Sequence, residues 1–409
     1  TVTDGFWDSY RASWPLRTLI TPGATAHLLN GFIEHFRQGG WTSRWSAPGP
    51  ADIMTGTSSD AVLADAVLAG VPGIDVLDAY DSCLRNATTP SDDPHVGRKG
   101  LARSIFRGFT DTDTFEGMSW TVDAAINDAA IAAFSRHLAA IRPDDPRHDE
   151  FVDNATWFTA RAATYANVFD TATGFFRGRA RDGSFRREPF DPRDWGLDYT
   201  ETNAWGTRFT APHDGAGLVA LYGGRAELEQ ALDDFCALPE TGRDEFRGWY
   251  PVVIHEMREA RDTRMGMLAL SNQPAHHIPF MYHHTSRPGS LGHAKAQRLI
   301  RDAVDRLFLG SDAGQGYPGD EDNGEMSAWY LWAVSGLYPL SVGSGTYVLG
   351  APAFPRLRWT LDNGRILDIE APDAGPSNPY VQQVWIDGER WDEISVPRAR
   401  LADGAHIRV

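Results

Sequence analysis

Four carboxylates fall within six residues in Gly319-Asp320-Glu321-Asp322-Asn323-Gly324-Glu325-Met326-Ser327, just ahead of an aromatic run containing Trp329, Tyr330 and Trp332. Charges this close repel unless a cation, a hydrogen-bond network or raised pKa values compensate. One reading is a solvated acidic turn that caps the following helix. The other is a loop that presents Asp320 and Asp322, two residues apart, to share or relay a proton from water. The flanking glycines permit the unusual backbone angles that the second reading needs.

A second candidate is Glu201 in Tyr199-Thr200-Glu201-Thr202-Asn203-Ala204-Trp205, followed by Pro212-His213-Asp214. A lone loop Glu is ordinarily a surface residue. Here Trp195, Tyr199 and Trp205 supply apolar walls that lift a carboxyl into the general-acid range. The third cluster is Asn272-Gln273-Pro274-Ala275-His276-His277. Adjacent histidines on a helix diverge, and no H-E-x-x-H motif is present, so zinc is disfavoured. Amide and carbonyl oxygens instead suit a hard cation such as calcium. The same residues also read as a helix start, with Asn as cap and Pro in the first turn. Near the N-terminus, Gly5-Phe6-Trp7-Asp8-Ser9-Tyr10-Arg11 can stack on a sugar and bond its hydroxyls, or can equally be a core-facing helix start with one ion pair.

The elements that must hold these groups are mainly helical. Apolar residues recur at three- and four-residue spacing through Leu340, which predicts helices over 59–68, 122–141, 154–169, 216–238, 294–309 and 326–337. Roughly ten to twelve helices follow from this pattern, too many for a four-helix bundle and better suited to a ring of helix pairs. Beyond Leu340 the texture changes to short β-rich runs at 346–349, 357–361, 366–369, 381–386 and 406–409, with turn signals at Asp362-Asn363-Gly364 and Asp387-Gly388. These predict an antiparallel sheet over 341–409, after a helical unit over 1–340. The sheet is either a small domain or, preferably, the completion of a larger sheet begun upstream, because a lone small sheet leaves an exposed edge.

Composition bounds the function. A net charge of −17 repels nucleic acid and anionic membrane. No apolar run reaches membrane-spanning length. Fourteen Trp among 409 residues is a surplus that suits both cores and sugar-stacking clefts. Cys83 and Cys236 match no metal or redox spacing, and are either one long-range disulfide or two buried thiols. Thr1-Val2-Thr3-Asp4 is not a signal peptide, and the chain reads as a segment of a longer protein.

Taken together, the motifs resemble those of glycoside hydrolase family 92, the calcium-dependent exo-α-mannosidases. Gly5 to Leu16 matches the G-x-W-D-x-x-R-x-x-x-P-L opening, and Tyr199 to Trp205 with Pro212-His213-Asp214 matches Y-x-E-G-N-A-W and P-H-D. Asn272 to His277 matches N-E-P-x-H-H, Gly319 to Trp329 matches G-[ND]-x-D-x-G-x-M-S-x-W, and Gly336-Leu337-Tyr338-Pro339 matches the G-x-Y-P ending. The stretches 60–70 and 167–178 are also similar. Five motifs in order cover most of the chain.

The resemblance implies an (α/α)6 barrel joined to an N-terminal β-sandwich domain that this chain lacks, with the terminal strands completing that sandwich. It implies a secreted, periplasmic or cell-surface enzyme that releases terminal α-linked mannose from glycans with inversion. By motif, Glu201 is the general acid, and Asp322 with Asp320 is the base that activates water on the opposite face. Inverting enzymes hold such carboxyls roughly 6.5–9.5 Å apart. Calcium would bind the mannose 2- and 3-hydroxyls, with Asn272 and Gln273 as the place to look for its ligands. Trp7, Asp8, Trp205, His276 and His277 would contact substrate. Three departures stand out: Gln273 replaces Glu, Thr202 replaces Gly, and Gly206-Thr207 replaces Gln-Tyr. The first removes a charge from the calcium site. The others lie on the leaving-group side and admit an alternative substrate, a mannose-1-phosphodiester, whose leaving group needs little acid help. A non-enzyme alternative is a carbohydrate-binding helical barrel.

Overall fold

The computed structural model of the protein describes residues 3–187, 189–309 and 315–409. Thr1 and Val2, where the N-terminal reading begins, lie outside them. Helix packs on helix through residue 335. Gly117–Ile141 lies along His148–Ala162 and Ser59–Leu68, and Ser59–Leu68 lies on Val76–Thr88. Ser59–Leu68 is buried on every face, and its two buried acids are paired, Asp60 with Arg98 and Asp65 with Arg398. Ser13–Ile20 touches Pro22–Gly39 on one side and Glu325–Ser335 on the other, so the two ends of the helical region meet. Among the described residues there are fourteen α-helical elements, two of them single turns of four residues.

Trp332 shows how the pieces lock. Its Nε1 donates to Ala12 O at 3.0 Å. Its ring meets Tyr347 at 4.9 Å and Trp359 at 5.6 Å, so one buried indole joins the N-terminal segment, a helix and two strands. Leu367, Ile369, Ile386 and Ile407 from the strands share one hydrophobic core with Phe209, Trp329 and Trp332 from the helical part. Buried Arg398 pairs with Asp65 at 3.1 Å across the same junction, and Gly343 N donates to that carboxylate at 3.2 Å. A three-stranded sheet of Leu337–Tyr338, Thr346–Leu349 and Ser395–Pro397 also crosses the expected boundary at residue 340.

The structure departs from the expected elements in three places. The helix expected over 216–238 is two, Gly215–Tyr222 and Arg225–Ala237, because Gly223 (φ 91°) and Gly224 (φ 154°) adopt angles that no helix can carry. The helix expected over 154–169 runs from His148 to Ala162 and gives way to a 3-10 turn and a short strand, Phe169–Asp170, paired with Phe175–Phe176. The five-stranded C-terminal sheet is mixed rather than antiparallel, since Ala405–Arg408 pairs parallel with Ile366–Glu370. The long return through 384–397 supplies the crossover that parallel pairing requires. Cys83 and Cys236 are both free thiols.

Candidate active site

The loop that carries Glu201 is pinned to the start of the longest helix. Ser119 Oγ donates to Asp198 O at 2.9 Å and accepts from Thr200 N at 3.1 Å. Asn203 closes the loop by capping the short helix Ala204–Thr207, its Oδ1 taking Gly206 N at 3.1 Å. Between these anchors Glu201 sits at φ 51°, a left-handed angle that costs energy for any residue with a Cβ.

The acidic loop is similarly wound, with Asp322 at φ 55° and Asn323 at φ 58° between Gly319 and Gly324. Gly319 has no room for a side chain: a Cβ there would lie 2.1 Å from Ser271 O, so glycine lets this loop dock against Ser271-Asn272-Gln273. The four carboxylates then divide their work. Glu321 caps the next helix, accepting from Gly324 N at 2.7 Å and Ser327 Oγ at 2.8 Å. Glu325 is fully buried, accepts from Ala12 N at 3.0 Å and Ser13 N at 2.9 Å, and faces His276 Nδ1 at 3.1 Å. Asp320 is exposed and acts on Asp322 through its charge. Asp322 is half-buried and points to Gln273.

Two adjacent amides hold the two candidate carboxylates. Asn272 Nδ2 donates to Glu201 Oε2 at 2.9 Å, and Gln273 Nε2 donates to Asp322 Oδ2. An amide oxygen turned toward an ionised carboxylate would be repelled, so both NH2 groups face inward. Burial, then the charges of Glu256, Asp322 and Glu116, push the Glu201 carboxyl up to about 7 against the opposing Asn272 hydrogen bond. Asp322 is raised as well, by burial and by Asp320, while its bond from Gln273 favours the ionised form.

Trp7 and Asp8 join this group. Burial, followed by the charges of Asp322, Glu201 and Glu325, pushes Asp8 up to about 9, with Arg11 opposing. Trp7 Nε1 donates to Asp123 Oδ2 at 3.2 Å, and Thr55 links that carboxylate at 2.6 Å to Thr200 Oγ1 at 3.2 Å, beside Glu201. Trp205 is placed as a prop: its ring meets Phe175 edge-on at 4.8 Å and Arg208 at 4.9 Å.

The histidines are buried. His276 bonds Glu325 and its Nε2 has no hydrogen-bond partner among the described residues. His277 Nε2 meets Phe209 O at 3.1 Å, and burial pulls its pKa down to about 3, so the ring is neutral and donates to that carbonyl. His277 also lines an internal cavity of about 10 Å³ with His213 and Tyr338. His213 Nδ1, His277 Nδ1 and the Tyr338 hydroxyl find no hydrogen-bond partner among the described residues.

For a metal, no three His, Cys, Asp or Glu side chains gather around one point among the described residues. A cation here needs amide, carbonyl and ligand oxygens, a donor set that calcium accepts. The side-chain carbonyl of Asn272 is of that donor type. Asn272 Oδ1 takes Gln273 N at 3.0 Å and has a second lone pair to offer.

The family model for the glycosyl hydrolase family 92 catalytic domain matches residues 2–409. The chain belongs to glycosyl hydrolase family 92. A family GH92 inverting mannosidase from Bacteroides thetaiotaomicron superposes with a TM-score of 0.84 at 28% identity, over 99% of this chain and 52% of that one. A family GH92 alpha-mannosidase from the same organism gives 0.82 at 25% identity, over 99% and 49%. A protein of Arthroderma benhamiae described as an uncharacterized secreted glycosidase is 22% identical over 370 residues, 83% of this chain and 42% of its own length. The chain thus spans about half the length of these relatives. No helix among the described residues is long and apolar enough to cross a membrane.

In this GH92 chain a Cβ at position 206 would lie 1.9 Å from Thr202 Oγ1, so glycine at 206 leaves room for the threonine at 202. The structure also brings in residues that the motifs did not. Glu116, at φ 56°, has its carboxyl pushed up to about 7, first by burial and then by Asp123 against an opposing bond from Thr200. Tyr250 sits on the backbone of Glu201, and Glu256 contributes the largest charge effect on that acid. One signal was available: Glu116-Gly117-Met118-Ser119-Trp120 echoes Gly324-Glu325-Met326-Ser327, both combining an acid, a glycine and Met-Ser at a helix start.

Proposed function

We propose that this GH92 glycosidase releases terminal α-linked mannose from glycans with inversion, using Glu201 as general acid and Asp322 as general base with Asp320 as its charged neighbour. The observation that carries the reading is the pair of adjacent amides at 272 and 273, each tied to one carboxylate. Their spacing fixes one carboxyl relative to the other, which a one-step displacement by water requires. A carboxyl raised to about 7 is protonated at mildly acidic pH and can give its proton to the departing glycosidic oxygen. Asp322, stabilised as the anion by Gln273, takes the proton of the attacking water. Trp7 and Asp8 line the pocket of the terminal sugar, and His276, His277 and Trp205 support or contact substrate around it. The scaffold is an (α/α)6 barrel.

Calcium, when bound near Asn272 and Gln273, supplies a hard centre for the mannose 2- and 3-hydroxyls. With Gln at 273 in place of Glu, its hold is weaker than in relatives that keep the acid. A β-sandwich domain of the same protein would pack on the terminal strands, consistent with relatives about twice as long. By analogy with the secreted relative, the protein acts outside the cytoplasm.

The experiment is mannose release from an α-mannoside with and without a calcium chelator. Activity falls at least tenfold on chelation and returns with added calcium. Turnover untouched by the chelator contradicts the calcium assignment, and no mannose release from any α-mannoside contradicts the reaction. A mannose-1-phosphodiester substrate is the weaker reading, because a raised acid has no task where the leaving group needs no proton.

A further inference from the structure

The loops that reach Glu201 also carry the most exposed tryptophan among the described residues, Trp249 at 58%, and Phe115 at 54%. Their ring centroids lie 6.0 Å apart at 46°. Each ring is one residue along the chain from a group that faces the acid: Glu116, which bonds Thr200, and Tyr250, which meets the Glu201 backbone. Both loops rest on the irregular segment leading to the acid, through Glu116 N to Leu197 O at 3.3 Å and Trp249 N to Trp195 O at 2.9 Å. Gly196 makes this close approach possible, since a Cβ there would lie 3.0 Å from the Tyr250 ring and 3.1 Å from Trp249 Cβ.

The pair borders a cleft of about 600 Å³ whose lining includes Asp194 and the ion pair in which Arg186 holds buried Asp198 at 2.8 Å. A single exposed apolar side chain is ordinary, whereas two large rings in contact at the rim of a cleft form the kind of contiguous apolar patch that marks a recognition site. A pyranose matches this combination, with a C–H face that packs on an aromatic ring and an edge of hydroxyls for carboxylate and guanidinium partners. We propose that Phe115 and Trp249 form a stacking platform for a distal sugar of the leaving-group glycan, so that the substrate is an extended oligosaccharide rather than a lone mannoside. This rests on the mannosidase reading above. Continuity of both loops with the surroundings of Glu201, and the mixed charge of the cleft, favour a sugar over a protein surface as the occupant.

The test compares kcat/KM for a mannose-terminated oligosaccharide with kcat/KM for an aryl α-mannoside, in the full-length protein with calcium supplied. In the Phe115→Ala, Trp249→Ala double variant the ratio of the two falls about tenfold, through KM on the oligosaccharide. Trp249→Phe, which keeps a ring, retains most of the ratio. An unchanged ratio overturns the platform. An unchanged ratio accompanied by a lower melting temperature also overturns it, and assigns the rings to packing against another part of the protein. Wild type that cleaves the aryl mannoside but never the oligosaccharide defeats the platform alone, whereas wild type that cleaves neither defeats the mannosidase reading and the platform with it.

Discussion

If Asp322 is the base proposed above, Asp322→Asn lowers kcat/KM on an α-mannoside by about 10³-fold, with KM changed little, because the substitution keeps size and hydrogen bonding but removes the basic carboxylate that would take the proton of the attacking water. Asp322 is held by Gln273, wound at φ 55° and half-buried, whereas Asp320 is exposed and without such a tether. Asp320→Asn therefore costs far less, about tenfold, through loss of the neighbouring charge that keeps Asp322 basic. The two variants assayed side by side settle which carboxylate is the base. Equal losses, or a larger loss at 320, would reverse the assignment.

Glu201→Gln has an effect that depends on the leaving group. On a glycan, whose departing alkoxide must be protonated, kcat/KM drops by about 10²–10³-fold. On an aryl mannoside with an acidic phenol the drop is under about tenfold, because the bond breaks with little help. The pH profile carries the same information. The acid works only while protonated, and burial has moved its pKa up to about 7, so wild-type kcat/KM declines as pH rises through that value. Asp322 works only while ionised, and its pKa is raised too, so the acidic limb lies above the ordinary aspartate range. In Glu201→Gln the alkaline limb disappears and the acidic limb stays. An alkaline limb that persists in this variant places the acid elsewhere, with Glu116 the next carboxyl to test, since it too is pushed up to about 7.

Much of this candidate site was legible in the sequence, and the reasons differ by residue. Glu201 and Asp322 stood out because their neighbours were unusual, aromatics around one and glycines around the other; the structure largely buries the Glu201 carboxyl and winds Asp322 at a left-handed angle between Gly319 and Gly324. Which of Asp320 and Asp322 faces inward was not legible, since two residues' separation in a loop carries no fixed direction until backbone angles are known. Glu116 and Asp123 were invisible for another reason: each is a lone acid whose pKa depends on partners from segments far away in the chain, Thr200 for the one and Trp7 with Thr55 for the other. The helices followed apolar periodicity well, yet periodicity continued across Gly223-Gly224, where the backbone does not. Strand positions after 340 were readable from composition, but the parallel pairing of 405–408 with 366–370 depends on where the chain goes between them. The tether of both carboxylates to neighbouring amides, on which the mechanism turns, belongs to tertiary structure alone.

The stereochemistry of the released sugar bears on that mechanism without any mutation. An α-mannoside incubated with the protein in buffer containing calcium, followed from the first minutes by proton NMR, should yield β-mannose first, with α-mannose growing in only at the rate of mutarotation. α-Mannose as the first product would mean a covalent double displacement, and would contradict a base that activates water opposite the acid.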